Sequence, residues 1–493
     1  MTPQALALAP DTAISRMMAD TILHPDSDRG RDPVDAPLLE ALEEGRLSRG
    51  FVDEIGDRLD SGDDEAVRAL VAPLRPADIA ELFAMVAEDD RTALARAIGD
   101  ALDAEVIAEL NDYVREDVLA GMSVGAVVEV ITQLDTDDAV ALIEDLDDRE
   151  QREVLSALTP ADRADIEAAL NYPEESAGRL MQRELVAVAE GVTVGDVIEQ
   201  VRSTIDPATD FWEIFVIDGS RRPVGTVRLS WLLTTPPAIA VADVMQREQT
   251  LIPVDMDQEE VALQFQKYAL ISAAVVDGQG RLVGVITVDD IVHIIQEEAG
   301  EDALKLSGAG DGDINEPVVE TYKVRSRWLI ANLGTAMLSS SVIASFEPSI
   351  EKLVTLAALA PIVASVGGNA GTQTMAVAVR ALATNQLTES NTRRTIWREI
   401  RVAMLNGSTI ATLIGVGTTL IFGNAMLGLV IACAVLFNIM IAGMAGVLVP
   451  VAIERFGADP AVASSVFVTM MTDTLGFLSF LGLATLVGVA NLS

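Results

Sequence analysis

Five apolar runs close the chain, at residues 328–346, 353–379, 402–422, 426–453 and 461–492. Each reaches the ~20 residues that an α-helix needs to cross a bilayer. Before residue 328 no run comes close. Lipid gives backbone polar groups no partner, so runs of this length specify membrane helices. The second run holds Pro361-Ile-Val-Ala-Ser-Val-Gly-Gly-Asn-Ala-Gly-Thr-Gln-Thr374. Gly367, Gly368, Ala370 and Gly371 leave its backbone nearly bare. Asn369, Thr372, Gln373 and Thr374 put hydrogen-bonding groups where lipid accepts none. Such a face is either a small-residue packing seam between helices or the lining of a wet path.

The fifth run adds one acid, Asp473, inside Val468-Thr-Met-Met-Thr-Asp-Thr-Leu-Gly-Phe477. A charged Asp in the middle of a membrane helix costs about 2.5–3.5 kcal/mol on insertion scales. It is usually kept for an ion, a proton or a partner. No Lys, Arg or His stands well inside any run to pair with it, and Arg380, Glu399 and Glu454 lie at run ends. A hydrogen bond from Asn369 or Asn438 is the structural alternative.

The formal charge of −41 is distributed unevenly. Residues 1–326 carry a balance of −42, and the rest is close to neutral. Nucleic acid is therefore an unsuitable partner, because phosphate binding needs a basic surface. The acidic half reads either as a solvated surface or as one that collects cations. Cys433 is the single cysteine, so no intramolecular disulfide forms. The start is polar and Pro-rich, with no signal peptide expected. Lys323, Arg325 and Arg327 precede the first run; Arg380, Arg393, Arg394, Arg398 and Arg401 surround the link between runs two and three; Arg455 follows run four. The positive-inside rule then puts the first 326 residues in the cytoplasm and the carboxyl terminus outside.

Along the acidic half, residues 1–37 read as a disordered tail. From Leu38 to about Leu170 short helices alternate with acidic turns, and helices of this kind usually stack as a small superhelix. Leu158-Thr-Pro-Ala-Asp162 shows the start signals, with Thr159 as N-cap and Pro160 at the first helical position. A repeat follows: Met181-Gln-Arg-Glu184 recurs as Met245-Gln-Arg-Glu248. After each copy come a helical stretch, a β run ending in Asp-Gly, then Val-Gly and a second β run. A tandem module in which one copy covers the other is expected, similar to a CBS-domain pair. Gly284-Val-Ile-Thr-Val-Asp-Asp290 matches the closing motif of that family. There Thr287 and Asp290 would hold a nucleotide ribose, with a purely structural repeat as the alternative. The first copy departs, with Arg228 and Trp231 in those places. A Gly/Asp-rich hinge from Gly308 to Asp313 and a helix from Glu316 to Arg327 lead into the first run.

In this order the pieces resemble the MgtE family of magnesium channels over about residues 70–493. The resemblance rests on the helical amino-terminal segment and on Tyr172-Pro-Glu-Glu-Ser-Ala-Gly-Arg-Leu-Met181 leading into the repeat. It rests also on Gly367-Gly-Asn-Ala-Gly-Thr-Gln373, on Gly457-Ala-Asp-Pro-Ala461 and on Asp473. It implies a multidomain α-helical membrane protein: five transmembrane helices preceded by an all-α superhelical cytosolic domain and an α/β CBS-domain pair. The expected divisions are the tail at 1–37, the helical domain at 38–172, tandem CBS domains at 173–300, hinge and connecting plug helix at 301–326, and the pore domain at 327–493.

The resemblance further implies a homodimer in the inner or plasma membrane, with Mg²⁺ as both transported ion and regulatory ligand. The second and fifth spans of two protomers would build one pore. Gly367, Gly368, Asn369, Gly371, Thr372 and Gln373 would line it, and Asp473 of each chain would bind hydrated Mg²⁺. Cytosolic Mg²⁺ between the acidic domains would close it. The acids that match for this sensing are Glu105, Asp137, Asp257, Glu259, Asp290, Glu298, Glu301 and Asp302. Ala141, Ala269 and His293 replace three others, so sensing is expected to be weaker. In the last span Val466 and Thr474 replace a usual proline and valine. ATP at the CBS pair is the remaining ligand implied. Two alternatives stay open: transport of another divalent ion such as Co²⁺ or Zn²⁺, and a membrane sensor that moves nothing. No enzyme is expected, because Asp473 has no partner base.

Overall fold

The computed structural model describes residues 42–43, 46–204, 211–307, 315–388 and 390–488. The expected tail, the hinge from Gly308 to Asp313 and the side chain of Asp302 lie outside the described residues. The chain forms two compact units, Met1–Asn171 and Tyr172–Ser493.

In the first unit, helices run α1 (Arg49–Ser61), α2 (Asp64–Val71), α3 (Pro76–Met85), α4 (Glu88–Ile98), α5 (Ala104–Ala108), α6 (Asp112–Ala120), α7 (Val124–Ile131), α8 (Thr136–Glu144), α9 (Asp148–Ala157) and α10 (Pro160–Leu170). Their starts follow local chemistry. Asp103, Asn111, Asp147 and Thr159 accept backbone N–H groups from the first turn that would otherwise lack partners. The helices run from 5 to 13 residues, too short to be stable alone, so stability comes from two apolar cores. One gathers Ile55, Phe83 and Ile98, the other Ile107, Leu142 and Ile143. The buried Arg115 ties successive turns together, donating to Asp145 at 2.5 Å, Asp112 at 2.7 Å and the Leu110 carbonyl at 3.2 Å. Burial nevertheless pushes the Asp145 carboxyl up to about 6, against the pull of Arg115.

The second unit opens with the repeat: α11 (Ala177–Leu180), β1 (Ala187–Ala189), α12 (Val194–Thr204), β2 (Glu213–Ile217), β3 (Pro223–Arg228), α13 (Leu229–Thr234) and α14 (Val241–Val244). It continues with β4 (Leu251–Pro253), α15 (Gln258–Tyr268), β5 (Ser272–Val276), β6 (Leu282–Thr287) and α16 (Val288–Ser307). Each copy is a three-stranded sheet, with a parallel first pair and an antiparallel second. The two Met-Gln stretches are exchanged. Gln182 bridges to Val285 in the second copy, and Gln246 bridges to Thr226 in the first. Met181 is consequently buried with Ile252 and Ile286, and Met245 with Val216 and Val227. Only glycine lets each thioether lie on the opposite strand. A Cβ at Gly284 would sit 2.6 Å from Met181 Sδ, and one at Gly225 2.8 Å from Met245 Sδ. Neither copy completes its core without the other's lead-in segment.

Beyond it lie α17 (Val318–Ser345), α18 (Glu347–Lys352), α19 (Thr355–Ala383), α20 (Thr392–Phe422), α21 (Ala425–Arg455) and α22 (Pro460–Val487). The helix expected from Glu316 begins at Val318, because Pro317 occupies its N-cap. Among the described residues four helices are long and apolar enough to cross a membrane: α17, α20, α21 and Ser464–Val487 of α22. At 29 residues α19 has the length, but Gly367, Gly368, Asn369, Gly371, Thr372 and Gln373 dilute its apolar character. The centre is α21, which packs against α19, α20 and α22. At its start Gly428 and Gly415 of α20 meet backbone to backbone, with Gly428 O 2.9 Å from where a Gly415 Cβ would stand.

Overpacking the exchanged strand is expected to cost about 1–3 kcal/mol. Gly284→Ala should therefore lower the temperature at which residues 172–307 lose protection from trypsin. Gly278→Ala, whose Cβ would meet nothing within 4 Å, should leave it unchanged.

Candidate functional site

The polar stretch of α19 divides into two faces. Gly367 and Gly371, one turn apart, are buried. A Cβ at Gly371 would stand 2.7 Å from Val468 Cγ1 of α22, and one at Gly367 would collide with the Asn438 carboxamide of α21. These two glycines form the packing seam. Asn369, Thr372 and Gln373 are exposed on the other side, and a Cβ at Gly368 would meet nothing within 4 Å. The packing-seam reading holds for the face of Gly367 and Gly371; the other face is open on the single chain.

Asp473 lies half-buried on α22. Among the described residues, no cation or hydrogen-bond donor stands against its carboxylate. Its neighbours are held in place: the buried Thr472 hydroxyl bonds the Thr469 carbonyl at 3.1 Å, and Thr474 meets Ser339 of α17 at 3.0 Å. The Asn438 amide donates instead to the Val363 carbonyl at 2.9 Å, and no bond from it to Asp473 is found among the described residues. Gln373 also borders a cleft of about 220 Å³, shared with Thr374, Arg398, Glu399 and Asn406. Glu399 is 8% exposed and bonded to Arg398 at 2.7 Å. In the sequence Glu399 stands only as an acid at a span end.

The expected cytosolic acids fall into separate groups. In the first unit, Glu105 is exposed in the first turn of α5 and Asp137 half-buried in that of α8. In the second, Asp257 caps α15 by accepting from Glu259 N at 3.0 Å. Glu298 accepts from Gln258 at 2.7 Å. Burial raises its carboxyl pKa, and the nearby charges of Glu301, Glu175 and Asp257 add to the effect. Glu175 belongs to the lead-in motif, where an acidic pair follows Pro173; its place beside Glu298 comes from the fold. Among the described residues no three acids or histidines come close enough to hold a metal ion by themselves.

Glu301 is engaged by Lys305 at 2.5 Å, and the same ammonium reaches Asp459 at the start of α22 at 3.3 Å. Burial works against the Lys305 charge, yet the two carboxylates outweigh it and raise its pKa to about 12. Beside it Leu306 packs with Met375 and Val379 of α19 and Ala461 and Val468 of α22. The last turn of α16 therefore rests on both helices of the candidate path. Thr287 donates to Asp290 at 2.8 Å, and Gln182 approaches the same oxygen at 3.3 Å. The adjoining cavity, bordered by Trp212, Glu213 and Thr287, measures about 10 Å³. That is room for one water rather than a nucleotide. Arg228, standing where the first copy lacks the Thr, pairs with Glu213 at 3.3 Å.

Comparison with known proteins matches a family model described as MgtE, divalent cation transporter, over residues 360–483. The MgtE intracellular N domain matches at 74–175 and a CBS domain at 241–297. A magnesium transporter MgtE of Thermus thermophilus is 35% identical over 330 residues, 66% of this chain and 73% of the relative. That of Bacillus subtilis is 31% identical over 421 residues, 85% of this chain and 93% of the relative. A solved cytosolic domain of the Mg²⁺ channel MgtE, in complex with ATP, is 30% identical with a TM-score of 0.46. It covers 49% of this chain and 99% of its own.

The two faces of α19 predict different responses to the smallest added side chain. Gly367→Ala and Gly371→Ala should each lower the melting temperature of the protein in detergent, at a cost of about 1–3 kcal/mol. Gly368→Ala should leave it unchanged.

Proposed function

This chain belongs to the MgtE family of divalent cation transporters, and on that premise we propose that it is a Mg²⁺ channel of the inner or plasma membrane, serving uptake. Two copies form one pore to which each gives α19, the second span, and α22, the fifth. The acidic half lies in the cytoplasm and the carboxyl terminus outside, in keeping with the arginines at 380–401. One observation carries the reading: Asp473 is a half-buried carboxylate with no cationic side chain against it among the described residues, on the helix packed against the signature stretch.

Mg²⁺ wants octahedral oxygen ligands and gives up water reluctantly. One carboxylate from each copy, with Asn369, Thr372 and Gln373 holding the retained waters, meets that demand. The membrane half contains no histidine, which disfavours a softer metal such as Zn²⁺. Cations gathered by Asp257, Glu259, Asp290, Glu298, Glu301 and Asp302, and by Glu105 and Asp137 of the first unit, favour the closed state. A ligand shifts such a balance only through its preference for one state. The shift reaches the pore through the last turn of α16, where Leu306 and Lys305 touch α19 and α22. ATP enters at Thr287 and Asp290 only if the cleft beside Trp212 opens.

Asp473→Ala should reduce Mg²⁺ flux into proteoliposomes to background while insertion and dimerisation persist. Normal flux in the inserted variant would remove Asp473 from the pore. Deleting residues 1–300 should leave a channel that conducts but no longer closes as Mg²⁺ rises on the cytoplasmic side. Identical Mg²⁺ dependence in the full-length and shortened chains would mean that the acidic half is not the gate.

A further inference from the structure

We propose that Asn438 is a positioning residue that sets Asp473 against the signature stretch and thereby tunes which hydrated divalent cation passes; the inference rests on the pore reading above. Asn438 is 0% exposed at the middle of α21. Its Nδ2 donates to the Val363 carbonyl of α19 at 2.9 Å. The same carboxamide fills the space beside two bare positions on different helices. A Cβ at Gly367 would collide with it, and one at Gly476 would stand 2.6 Å from Nδ2. Gly476 follows Asp473 by less than one turn of α22, and Gly367 precedes Asn369 by two residues. One side chain therefore touches both helices of the path beside their polar groups.

The chemistry at this point is not what packing alone selects. Asn438 Oδ1 has no hydrogen-bond partner among the described residues. A buried polar atom left this way is costly, and an apolar side chain of similar size avoids the cost. What the amide adds is direction. The turn it grips lies between Pro361, which has no N–H to give the Ala357 carbonyl, and the glycine pair. That is the weakest stretch of α19, and apolar contact between smooth helices resists sliding poorly. A fixed donor on the Val363 carbonyl sets the depth of α19 on α21, and the same carboxamide seats α22 at Gly476. Mg²⁺ requires near-ideal octahedral geometry, whereas Ca²⁺ accepts flexible coordination. A small shift between Asn369 and Asp473 should therefore penalise Mg²⁺ more than Ca²⁺.

The test uses the full chain in proteoliposomes, with Mg²⁺ and Ca²⁺ influx measured per inserted protein. Asn438→Leu keeps the volume and loses the donor. Gly476→Ala keeps the donor and displaces the carboxamide, so it carries the test if the first variant fails to insert. Both should lower the Mg²⁺:Ca²⁺ flux ratio by about threefold to tenfold, the range set by one hydrogen bond. A role limited to stability would reduce both fluxes together and leave the ratio unchanged; that result overturns the inference, as does failure of both variants to insert. Asp473→Ala measured alongside separates the two ideas. If it passes Mg²⁺ like the parent chain, the pore reading fails and takes this inference with it. If Asp473 is required and the ratio stays constant in both variants, the inference alone fails.

Discussion

The membrane half depends on helices coming close enough for backbone to touch. Lipid offers no hydrophobic drive between apolar helices, so association relies on tight packing and on polar contacts. Here α21 supplies the surface that the others meet. Its Gly446 faces the Gly371 carbonyl of α19, where a Cβ would stand at 2.9 Å, and its Gly443 lies over Ala403 of α20. Its one buried amide reaches across to Val363. Because α19 and α22 are both seated on α21, the position of Asp473 relative to the signature stretch is a property of α21 as much as of either helix.

The same helices receive the end of the acidic half. Leu306 lies among Met375, Val379, Ala461 and Val468, so movement of α16 bears on α19 and α22 together. Lys305 adds a charge link between Glu301 and Asp459. A cation arriving at Glu301 must compete with that ammonium for the same carboxylate. The proposed closing signal and the covalent chain thus meet at one residue, and any gain from cation binding is reduced by the ion pair it displaces. For partly buried pairs this is not negligible, since salt screens them less than exposed ones.

Much of this was legible in the sequence, and the limits have physical causes. The repeated Met-Gln-Arg-Glu marked two copies, yet not that each Met is buried in the other copy, because an exchange of segments leaves the local pattern unchanged. The bare glycines and polar residues near residue 370 were visible as one stretch. Their division into an inward seam and an outward face depends on the helical phase set by Asn438 and Val468. The sequence offers Asn438 only as a partner for Asp473; nothing local shows that its amide points to α19. Glu175, Lys305 and Glu399 acquire meaning through residues remote in the chain. The apolar run at 353–379 counted as a span by length, while the composition of α19 places it below the other four helices. The polar groups that make it interesting are the ones that weaken its membrane signal.

That weakness bears on what surrounds α19. Asn369, Thr372 and Gln373 are exposed on the single chain. Thr372 returns its hydroxyl to the Gly368 carbonyl at 3.0 Å, the local bond that makes a threonine tolerable in a membrane helix. Asn369 and Gln373 carry amides with two donors and an acceptor each, more than one turn of helix can satisfy. At membrane depth such groups need protein or water beside them. If lipid covered this face, the penalty would fall on the same helix that already bears Pro361 and the glycine pair. A wet path between two copies, as proposed, removes the penalty and gives Asp473 the solvent that a hydrated cation must bring with it. In the proposed pore the polar face and the half-buried acid answer to one requirement: water reaches this part of the bilayer at the junction of α19 and α22.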